Sequence, residues 1–461
     1  MANSKLLNTP ALKLSLLVVN DFYYMVPIGI KFLFQFFQFS TCHFCTVSKQ
    51  IHCSGVAMSK RLRFYGFVGF GSLCFVFLFF DQRYGSPETM KDQIQRLSAT
   101  GKFWEKTGEI DDSLATLSEI QQVIDQQRRI VHDEIIHYQY PNGRYNISAS
   151  ELEDLVMENN GNPIRSVIVS TWRSGSTFLG DILAAHPGLF YHYEPLSDFD
   201  IVQIRGPPLA SQALTNIKAL LNCEYADLDH YVEYVKNQSW IFRLNPPLWT
   251  QCQAHQSICY NHRFLSGMCK LFPFQSMKLV RLRLRVAQEL LADKKLAVRL
   301  ILLIRDPRGT LQSRRHTTFC QASPDCSDAG LLCADLISDY NAAVELQMKY
   351  PSRFRVLRYE DLTAEPYKHV KELFQFYGLD FHPNVKKYLD THTKSDVGNA
   401  YSTYRNSKTA PFHWRTDLEF EEVEEIQRNC FVAMKRWGYV PALNISHQKE
   451  FNPVTDYTIQ L

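Results

Sequence analysis

The sequence carries almost no net charge and contains no repeated or low-complexity segment. Its 50 Lys and Arg residues and 47 Asp and Glu residues leave a formal charge of +3, which is too small for a protein that coats nucleic acid. The absence of repeats excludes an architecture of stacked repeat units. The 461 residues are 45% hydrophobic, which is enough to bury one large core or two smaller ones.

The cysteines of the C-terminal two-thirds lack the CxxC spacing of a zinc site. They are even in number, and the sequence leaves their pairing open: Cys223, Cys252, Cys259, Cys269, Cys320, Cys326, Cys333 and Cys430. Such cysteines are typical of disulfides formed in an oxidising compartment.

An uncharged run from Phe64 to Phe80 is just long enough to cross a bilayer. Lys60, Arg61 and Arg63 precede it, and this basic flank stays in the cytoplasm by the positive-inside rule. The run predicts a single-pass type II anchor in the lipid bilayer at 64–80, with the C-terminal bulk in a lumen. A cleaved signal peptide is the alternative, which is disfavoured because no small-x-small cleavage site follows closely.

Residues 1–63 form the predicted cytoplasmic segment, and two of its features leave alternatives open. Residues 12–39 are apolar but include Asp21 and Lys31, so they form either a second membrane segment or an interfacial one. Met58 opens a stretch that would make a compact anchor by itself, which gives the hypothesis that translation starts there.

Residues 81–163 are polar and helix-favouring, and we predict a lumenal helical stem. Apolar residues recur in it at helical spacing: Leu114, Leu117, Ile120, Ile124, Val131 and Ile135. This stripe packs on the domain that follows or, as the alternative, joins two copies in a homodimer. The Asn-x-Ser triplets begin at Asn146, Asn237 and Asn444, all on the predicted lumenal side of a glycoprotein.

Apolar runs alternate with helical patterns from Ile164 onward, and these predict an α/β domain at 164–441 with a tail at 442–461. A central parallel sheet flanked by helices is the expected architecture. The predicted strands are 167–170, 277–284, 297–305 and 354–362, and two of the predicted helices are 334–350 and 366–377.

The segment "SVIVSTWRSGSTFLGDIL" runs from an apolar strand through a short loop into a helix. Such a loop aims backbone N–H groups and the positive end of the helix at one point, which is an anion site. The loop supplies a guanidinium, three hydroxyls and a glycine: Arg173, Ser174, Gly175, Ser176 and Thr177. The P-loop pattern GxxxxGK[ST] is missing. An Asp at the very end of a strand, which would hold Mg²⁺ in a kinase or nucleoside triphosphatase, is missing too. Both absences disfavour a kinase.

A second strand end carries "LLIRDPRGTLQSRRH", in which Arg305 is followed by Ser313 eight residues later. An Arg at a strand end and a Ser in the following helix can bind a second phosphate. Two phosphate sites at carboxyl ends of strands indicate a nucleotide with phosphates at two separate positions.

These motifs resemble those of the PAPS-dependent sulfotransferases, and within them the Golgi carbohydrate 6-O-sulfotransferases. "STWRSGSTFLGDIL" is similar to the family's 5'-phosphosulfate loop and "LIRDPRGTLQSR" to its 3'-phosphate motif. "YHYEPL", "RYEDL" and "YSTYRNS…WR…IQRNC…MKRWGY" match in order, from about Ile164 to Tyr439. Gly309 and Thr310 in the 3' motif and the long N-terminus depart from the family pattern.

The resemblance implies the P-loop-like sulfotransferase fold and transfer of a sulfuryl group from PAPS to a sugar hydroxyl in the Golgi membrane. The acceptor would be the 6-hydroxyl of galactose, N-acetylgalactosamine or N-acetylglucosamine in a glycosaminoglycan or a glycoprotein glycan. Residues 173–177 would hold the 5'-phosphosulfate, and Arg305 and Ser313 the 3'-phosphate. Tyr359 would border the adenine, and Arg405 with Trp414 and Arg415 would close over the nucleotide.

Two groups are predicted to act on the reaction itself. Arg173 is expected to stabilise the leaving oxygen with Ser174 or Thr177 beside it, so no metal is expected. Glu194 is the predicted base, with an extended backbone favoured by the proline after it. The alternative role for Glu194 is a structural carboxylate paired with a basic neighbour. His186 and His192 are the alternative bases.

The acceptor side is weakly specified. A basic alternation is expected either to face an anionic glycan or to lie on a solvated strand edge: Lys278, Arg281, Arg283 and Arg285. A catalytically silent lumenal glycan-binding protein and a sulfotransferase for protein tyrosine remain the alternative functions.

Overall fold

A five-stranded sheet lies at the centre of the part of the chain that the computed structural model describes, residues 113–144 and 147–460. Its order is β2-β3-β1-β4-β5, and all neighbouring strands are parallel. The strands are β1 (Ile164–Val169), β2 (Leu189–Tyr193), β3 (Phe274–Leu279), β4 (Arg299–Ile304) and β5 (Phe354–Arg358). The predicted α/β fold with a central parallel sheet is confirmed.

Parallel strands cannot be joined by tight hairpins, so helices connect them. The helices are α1 (113–134), α2 (Ser176–Ala184), α3 (Leu209–Leu221), α4 (Asp229–Asn237), α5 (Trp240–Arg243), α6 (Pro246–Ala254), α7 (His262–Lys270), α8 (Leu284–Ala292), α9 (Pro307–Arg315), α10 (Thr318–Gln321), α11 (Pro324–Ser327), α12 (Ala329–Lys349), α13 (Tyr359–Ala364), α14 (Pro366–Tyr377), α15 (Pro383–His392), α16 (Trp414–Asp417), α17 (Phe420–Arg436) and α18 (Ile445–Glu450).

The direction of the chain reverses beside β1. After β1 the chain crosses to β2 and β3 on one side, whereas after β4 it continues to β5 on the other side. The loops after β1 and β4 therefore diverge, and they leave a crevice at the carboxyl ends of these two neighbouring strands. Both predicted anion motifs follow these strands, at Arg173 and Arg305.

The predicted strands at 167–170 and 297–305 correspond to β1 and β4. The strand predicted at 354–362 is only half right, because β5 ends at Arg358 and the helix α13 begins at Tyr359. The strand predicted at 277–284 is only half right, because β3 ends at Leu279. Its partner β1 ends at Val169, directly opposite Leu279, so the residues beyond have no ladder to join. The alternating residues that follow instead lead into α8.

β2 has no counterpart among the predicted strands. Its five residues are all buried, so they show no alternation of apolar and polar side chains. A run this short and this apolar cannot be told from a buried helix turn by its pattern. Its pairing with β3, from Leu189 opposite Phe274 to Tyr193 opposite Lys278, makes it a strand.

The apolar stripe of the stem is buried by the chain itself. Ile120, Ile124, Val131 and Ile135 belong to the same hydrophobic core as the sheet. The Nε2 of Gln251 donates to Oε1 of buried Gln127 at 2.9 Å, which fixes α1 against α6. Packing on the domain therefore accounts for the stripe, and only its end at Leu114 is exposed.

All eight cysteines of this part of the chain are paired, as predicted. The bridges join Cys223 to Cys269, Cys252 to Cys259, Cys320 to Cys326 and Cys333 to Cys430. The last bridge connects α12 with α17 across 97 residues of sequence.

The segment predicted as a C-terminal tail packs on the domain. Gln448 is buried and donates to the carbonyls of Arg415 and Leu418. The guanidinium of Arg358, at the end of β5, donates to the carbonyl of Thr455 at 2.8 Å.

The predicted cytoplasmic segment, the anchor at 64–80 and the first part of the stem lie outside the described residues. Within 113–144 and 147–460, no helix combines the length and the apolarity needed to cross a bilayer.

Candidate active site

A cavity of about 1190 Å³ opens at the carboxyl ends of the strands. One wall is the loop after β1 with the start of α2, and another comes from Arg305 and α9. Residues 396–407, which we call the strap, cover a third side between α15 and α16. The cavity therefore lies at the crevice that the strand order predicts.

The loop after β1 approaches Tyr359 closely, and this requires Gly175. Gly175 has a φ of +84°, and a Cβ atom placed on it would lie 2.2 Å from the Tyr359 ring. Any other residue would displace this ring. Gly175 thus keeps the backbone N–H groups at the start of α2 open to the cavity, as an anion-binding loop requires.

Arg173 connects the two predicted anion sites. Its Nε donates to Oγ of Ser313 at 3.0 Å, and its guanidinium also donates to the carbonyl of Ala400 in the strap. Burial, aided by the nearby charge of Arg305, lowers the Arg173 pKa. An anion bound in the cavity would offset the repulsion between these two positive charges.

Arg305 lies against the same loop. Its Nη1 donates to the carbonyl of Arg173 at 2.8 Å, and its Cζ lies 4.9 Å from the centre of the Tyr359 ring. Its Nε is buried and finds no acceptor among the described residues. An unpaired buried donor is costly, and a bound anion would satisfy it.

The remaining loop residues differ in their access to the cavity. Ser176 and Thr177 line it, whereas Ser174 is fully buried and does not. The sequence leaves open whether Ser174 or Thr177 lies beside the leaving oxygen. Of these two residues, only Thr177 lines the cavity. Thr177 is the hydroxyl beside the base, as described next.

Glu194 lies in the same cavity and is held by two cations. Oε1 accepts from Nζ of Lys278 at 2.7 Å, and Oε2 accepts from Nη1 of Arg281 at 3.0 Å. Burial opposes ionisation of Glu194, but the charges of Lys278 and Arg281 outweigh it and lower the Glu194 pKa. The same Nζ bonds Oγ1 of Thr177 at 2.9 Å, so Lys278 connects the carboxylate to the anion loop.

The backbone of Glu194 is not extended as predicted. Its φ is +41°, so the chain turns sharply at the end of β2. The proline that follows disfavours the right-handed helical region, but it does not require the extended one. The turn places the carboxylate over the end of β3, where Lys278 lies.

The two alternative bases do not reach the cavity. His192 is buried within β2, where burial lowers its pKa to about 3 and its Nε2 has no partner among the described residues. His186 is also buried, and its Nε2 lies 2.9 Å from a carboxylate oxygen of Asp380. Neither histidine is among the residues that line the cavity.

The basic alternation that the sequence offers to an acceptor is used inside the protein. Lys278 and Arg281 bind Glu194, and buried Arg283 forms an ion pair with Asp339. Arg285 is exposed, but it lies on α8. The four residues do not form one basic strand, because β3 ends at Leu279 and contains only Lys278. A solvated strand edge is wrong as well, because Lys278, Arg281 and Arg283 are buried.

The strap brings Arg405 to the cavity but not Trp414 or Arg415. The Arg405 guanidinium donates to the carbonyls of Asn399 and Val397, so it shapes the strap itself. Trp414 is fully buried. Arg415 donates to the carbonyl of Phe451 in the C-terminal segment. Closure over the cavity therefore belongs to the strap alone.

The roles of two cavity residues escape sequence reasoning. Lys278 belongs to the basic alternation that the sequence shows, but its role comes only from its position next to Glu194 and Thr177. Asp181 lies on α2 one turn after Thr177, and burial raises its pKa to about 7. The four-residue spacing from Thr177, which places both on one face of a helix, was the available signal for Asp181.

The described residues contain no group of three or more His, Cys, Asp or Glu side chains that could hold a metal ion. Positive charge in the cavity comes instead from its own side chains, chiefly Arg173, Lys278 and Arg305.

Several known proteins are similar to this chain. Residues 163–438 match the sulfotransferase domain family. Mouse carbohydrate sulfotransferase 5 is 26% identical over 60% of this chain and 81% of its own length. Human carbohydrate sulfotransferase 6 is 25% identical over 62% of this chain and 83% of its own. Among solved structures, the sulfotransferase domain of the Synechococcus PCC 7002 olefin synthase matches with a TM-score of 0.32 and 18% identity, over 58% of this chain and 94% of that domain. The family match covers more than half of the chain, and the resemblance to carbohydrate sulfotransferases is confirmed: the chain belongs to the sulfotransferase family.

Proposed function

We propose that this protein transfers a sulfuryl group from PAPS to a hydroxyl of a sugar, the 6-hydroxyl of galactose, N-acetylgalactosamine or N-acetylglucosamine. The observation that carries the proposal is one cavity that holds two linked anion sites and an ionised carboxylate. The names of the similar proteins support a carbohydrate acceptor. The choice of the 6-hydroxyl rests on the sequence motifs.

The two anion sites fit a nucleotide that carries phosphates at its 5' and 3' positions. Residues 173–177 would hold the 5'-phosphosulfate, while Arg305 and the hydroxyl of Ser313 would hold the 3'-phosphate. Ser313 accepts from Arg173, so its own hydrogen remains available to a phosphate oxygen. Tyr359 contacts both sites and would border the adenine, with the strap and Arg405 above it.

PAPS supplies an activated sulfuryl group whose departure leaves negative charge on the bridging oxygen. Arg173 is the cation of the loop that stabilises this charge, because its guanidinium is already oriented by Ser313 and Ala400. Thr177, in the first turn of α2, lines the same cavity and is hydrogen-bonded to Lys278. This arrangement supplies positive charge from side chains alone.

Glu194 takes the proton of the sugar hydroxyl. Its lowered pKa keeps it ionised near neutral pH, and its lone pairs not used by Lys278 and Arg281 remain for the acceptor. Because a carboxylate of lowered pKa is a weak base, it removes the proton late, as the oxygen–sulfur bond forms. Lys278 is a positioning residue in this scheme, since it fixes the base relative to the loop.

Four disulfides in the described chain support an oxidising compartment. We therefore place the catalytic domain in the Golgi lumen, held by the anchor at 64–80. This location stays a proposal, as does the type II orientation.

The experiment that tests the function compares Glu194→Gln with the wild-type enzyme. Labelled PAPS is offered with neutral and acidic glycans and with a tyrosine-containing peptide, and the sulfated atom is mapped. The variant keeps the shape of Glu194 but loses its charge, so kcat should fall by roughly 10²–10⁴. Its affinity for PAP, the nucleotide that remains when PAPS has lost its sulfuryl group, should hardly change. Glu224→Gln, on the exposed surface, is the matched control and should keep wild-type kcat.

Two results would overturn the proposal. PAP binding without turnover on any acceptor would favour a silent glycan-binding protein. Sulfation of the tyrosine peptide alone would change the acceptor class.

A further inference from the structure

The cavity continues past Glu194, away from the two anion sites. β2 lies three strand spacings from β4, which amounts to roughly 14 Å across the sheet. Tyr193, at the end of β2, borders both parts of the cavity, since its hydroxyl lies 3.5 Å from Oγ1 of Thr177. The far wall is formed by Tyr234 of α4 and by Trp240, Arg243 and Leu244 in and after α5. We call this part the far arm. With about 1190 Å³ in total, the cavity exceeds the roughly 300–1,000 Å³ that is typical of a pocket for one small ligand.

Trp240 joins the far arm to the proposed base. Its ring meets the Tyr193 ring edge to face at 5.7 Å, and the Tyr193 ring lies 4.1 Å from Nζ of Lys278, which bonds Glu194. Nε1 of Trp240 donates to Gln238 at 2.9 Å, which fixes the ring while 41% of the residue stays exposed. A large, fixed and exposed aromatic ring in a cavity wall is suited to a ligand with an apolar face.

Arg243 is a cation of the far arm that forms no ion pair within the described residues. It lies one helical turn after Trp240 and is exposed. Its Nη2 donates to Oγ of Ser239 at 3.3 Å, and its Cζ lies 5.4 Å from the Trp249 ring. No carboxylate in residues 113–144 and 147–460 pairs with it, in contrast to Lys278, Arg281 and Arg283. The fork of a guanidinium positioned in this way matches a sulfate or a carboxylate.

We infer that the far arm binds an acidic sugar of the acceptor, with its sulfate or carboxylate on Arg243 and a ring face on Trp240. The inference rests on the proposed function, and it assigns the acceptor class as an anionic glycan. The sugar that receives the sulfuryl group would lie at Glu194, and the acidic sugar next to it in the chain would reach α5.

The test uses the full chain with its disulfides intact and three acceptors of one length. One is a neutral galactose–N-acetylglucosamine oligosaccharide, one is the same oligosaccharide with a single sulfate ester, and one contains a uronic acid carboxylate. Arg243→Ala should raise KM for the acidic acceptors at least tenfold and leave KM for the neutral acceptor and for PAPS unchanged. Arg243→Lys should restore part of the loss, and Trp240→Ala should raise KM for all three. Arg263→Ala, an exposed arginine outside the cavity, is the matched control and should change nothing.

Calorimetry of each oligosaccharide against the PAP-loaded protein separates this inference from the proposed function. Tighter binding of the acidic oligosaccharides that disappears in Arg243→Ala would support the far arm even if no sulfuryl transfer occurred. Preference for the sulfated or for the uronic acid acceptor would identify the anionic group. Equal binding of neutral and acidic oligosaccharides, or an equal effect of Arg243→Ala on both, would overturn the inference even in an active enzyme.

Discussion

Lys278 sets the protonation state of the proposed base. It is buried, so its attraction to Glu194 is weakly screened, and it outweighs part of the cost of burying the carboxylate. An uncharged side chain at position 278 would leave Glu194 buried, but it would remove a positive charge that favours the ionised carboxylate.

We therefore expect Lys278→Met to raise the Glu194 pKa. The base works only when ionised, so activity is lost as pH falls through this pKa. In the wild-type enzyme the acidic limb of kcat/KM should lie below the ordinary carboxylate pKa of 4.5, and in the variant it should move to higher pH. A profile from pH 3 to 9 covers both limbs and measures the shift.

Lys278→Arg keeps the positive charge and serves as the control, with its limb close to that of the wild type. An acidic limb that stays in place in Lys278→Met would show that Lys278 does not tune the base, even if the rate fell.

Single residues were predictable where a local motif fixes their surroundings. Arg173 and Gly175 follow from a strand, a loop and a helix that are contiguous in sequence. The partners of Glu194 were not predictable, because Lys278 and Arg281 lie more than 80 residues away in sequence. Sequence identifies a charged side chain, but the tertiary fold decides whether it meets solvent, a substrate or another side chain.

At the scale of elements, the strap is the part of the site with the least regular structure. Backbone hydrogen bonds tie it to the end of α15, from the Arg405 N–H to the His392 carbonyl at 3.2 Å and from Ser407 to Thr393 at 3.0 Å. The rings of Tyr388, His392 and Tyr404 stack below it with centroid separations of 3.8 and 3.6 Å. The strap is thus held at one end by a ring stack and at its middle by Arg173.

Tyr404→Ala removes the outer ring of this stack and should loosen the strap. Because Ala400 of the strap accepts from Arg173, we expect PAP affinity to fall about tenfold, which is about 1.4 kcal/mol. Calorimetry with PAP measures the change, and hydrogen exchange of residues 396–407 locates it.

Tyr404→Phe keeps the ring and is the matched control, since the Tyr404 hydroxyl forms no hydrogen bond within residues 113–144 and 147–460. It should bind PAP like the wild type. Unchanged PAP affinity and unchanged exchange in Tyr404→Ala would show that the stack does not hold the strap.

Elements with a strong local pattern were predictable, and those defined by their neighbours were not. α14 begins and ends where the sequence predicts, because Pro366 starts it and Gly378, with a φ of +80°, ends it. The end of β3 depends on the length of β1, and β2 exists only through its pairing with β3. Neither condition can be read within the segment itself.

At the scale of the whole molecule, covalent bridges join distant elements. Cys333–Cys430 closes a loop of 97 residues, whereas Cys252–Cys259 closes one of 7. A longer loop restricts the unfolded chain more, so the two bridges should differ in the stability that they contribute.

Replacing Cys333 and Cys430 with Ala should lower the free energy of unfolding by about 2 kcal/mol more than replacing Cys252 and Cys259, from the logarithm of the loop lengths. Both pairs are buried, so the loss of side-chain contacts is similar. Urea unfolding of the two double variants measures the difference. Equal losses, or a larger loss for the short loop, would contradict this ranking.

At this scale, the packing of the predicted segments could not be read from the sequence. The sequence separated a stem, a domain and a tail, but α1 and the segment after Ala442 belong to the same core and hydrogen-bond network as the sheet. Composition marks where a polar stretch begins. It does not show whether that stretch folds back.

The close approach of Gly175 and Tyr359 constrains how this site can change over evolutionary time. A side chain at position 175 requires a smaller residue at position 359, yet a smaller residue there removes the ring on which Arg305 stacks. We therefore expect each single change to impair the site. We expect the compensating pair to impair it as well, through the lost ring, so the two positions should be epistatic. A mutational library intended to alter nucleotide preference should therefore hold this pair constant and diversify the strap.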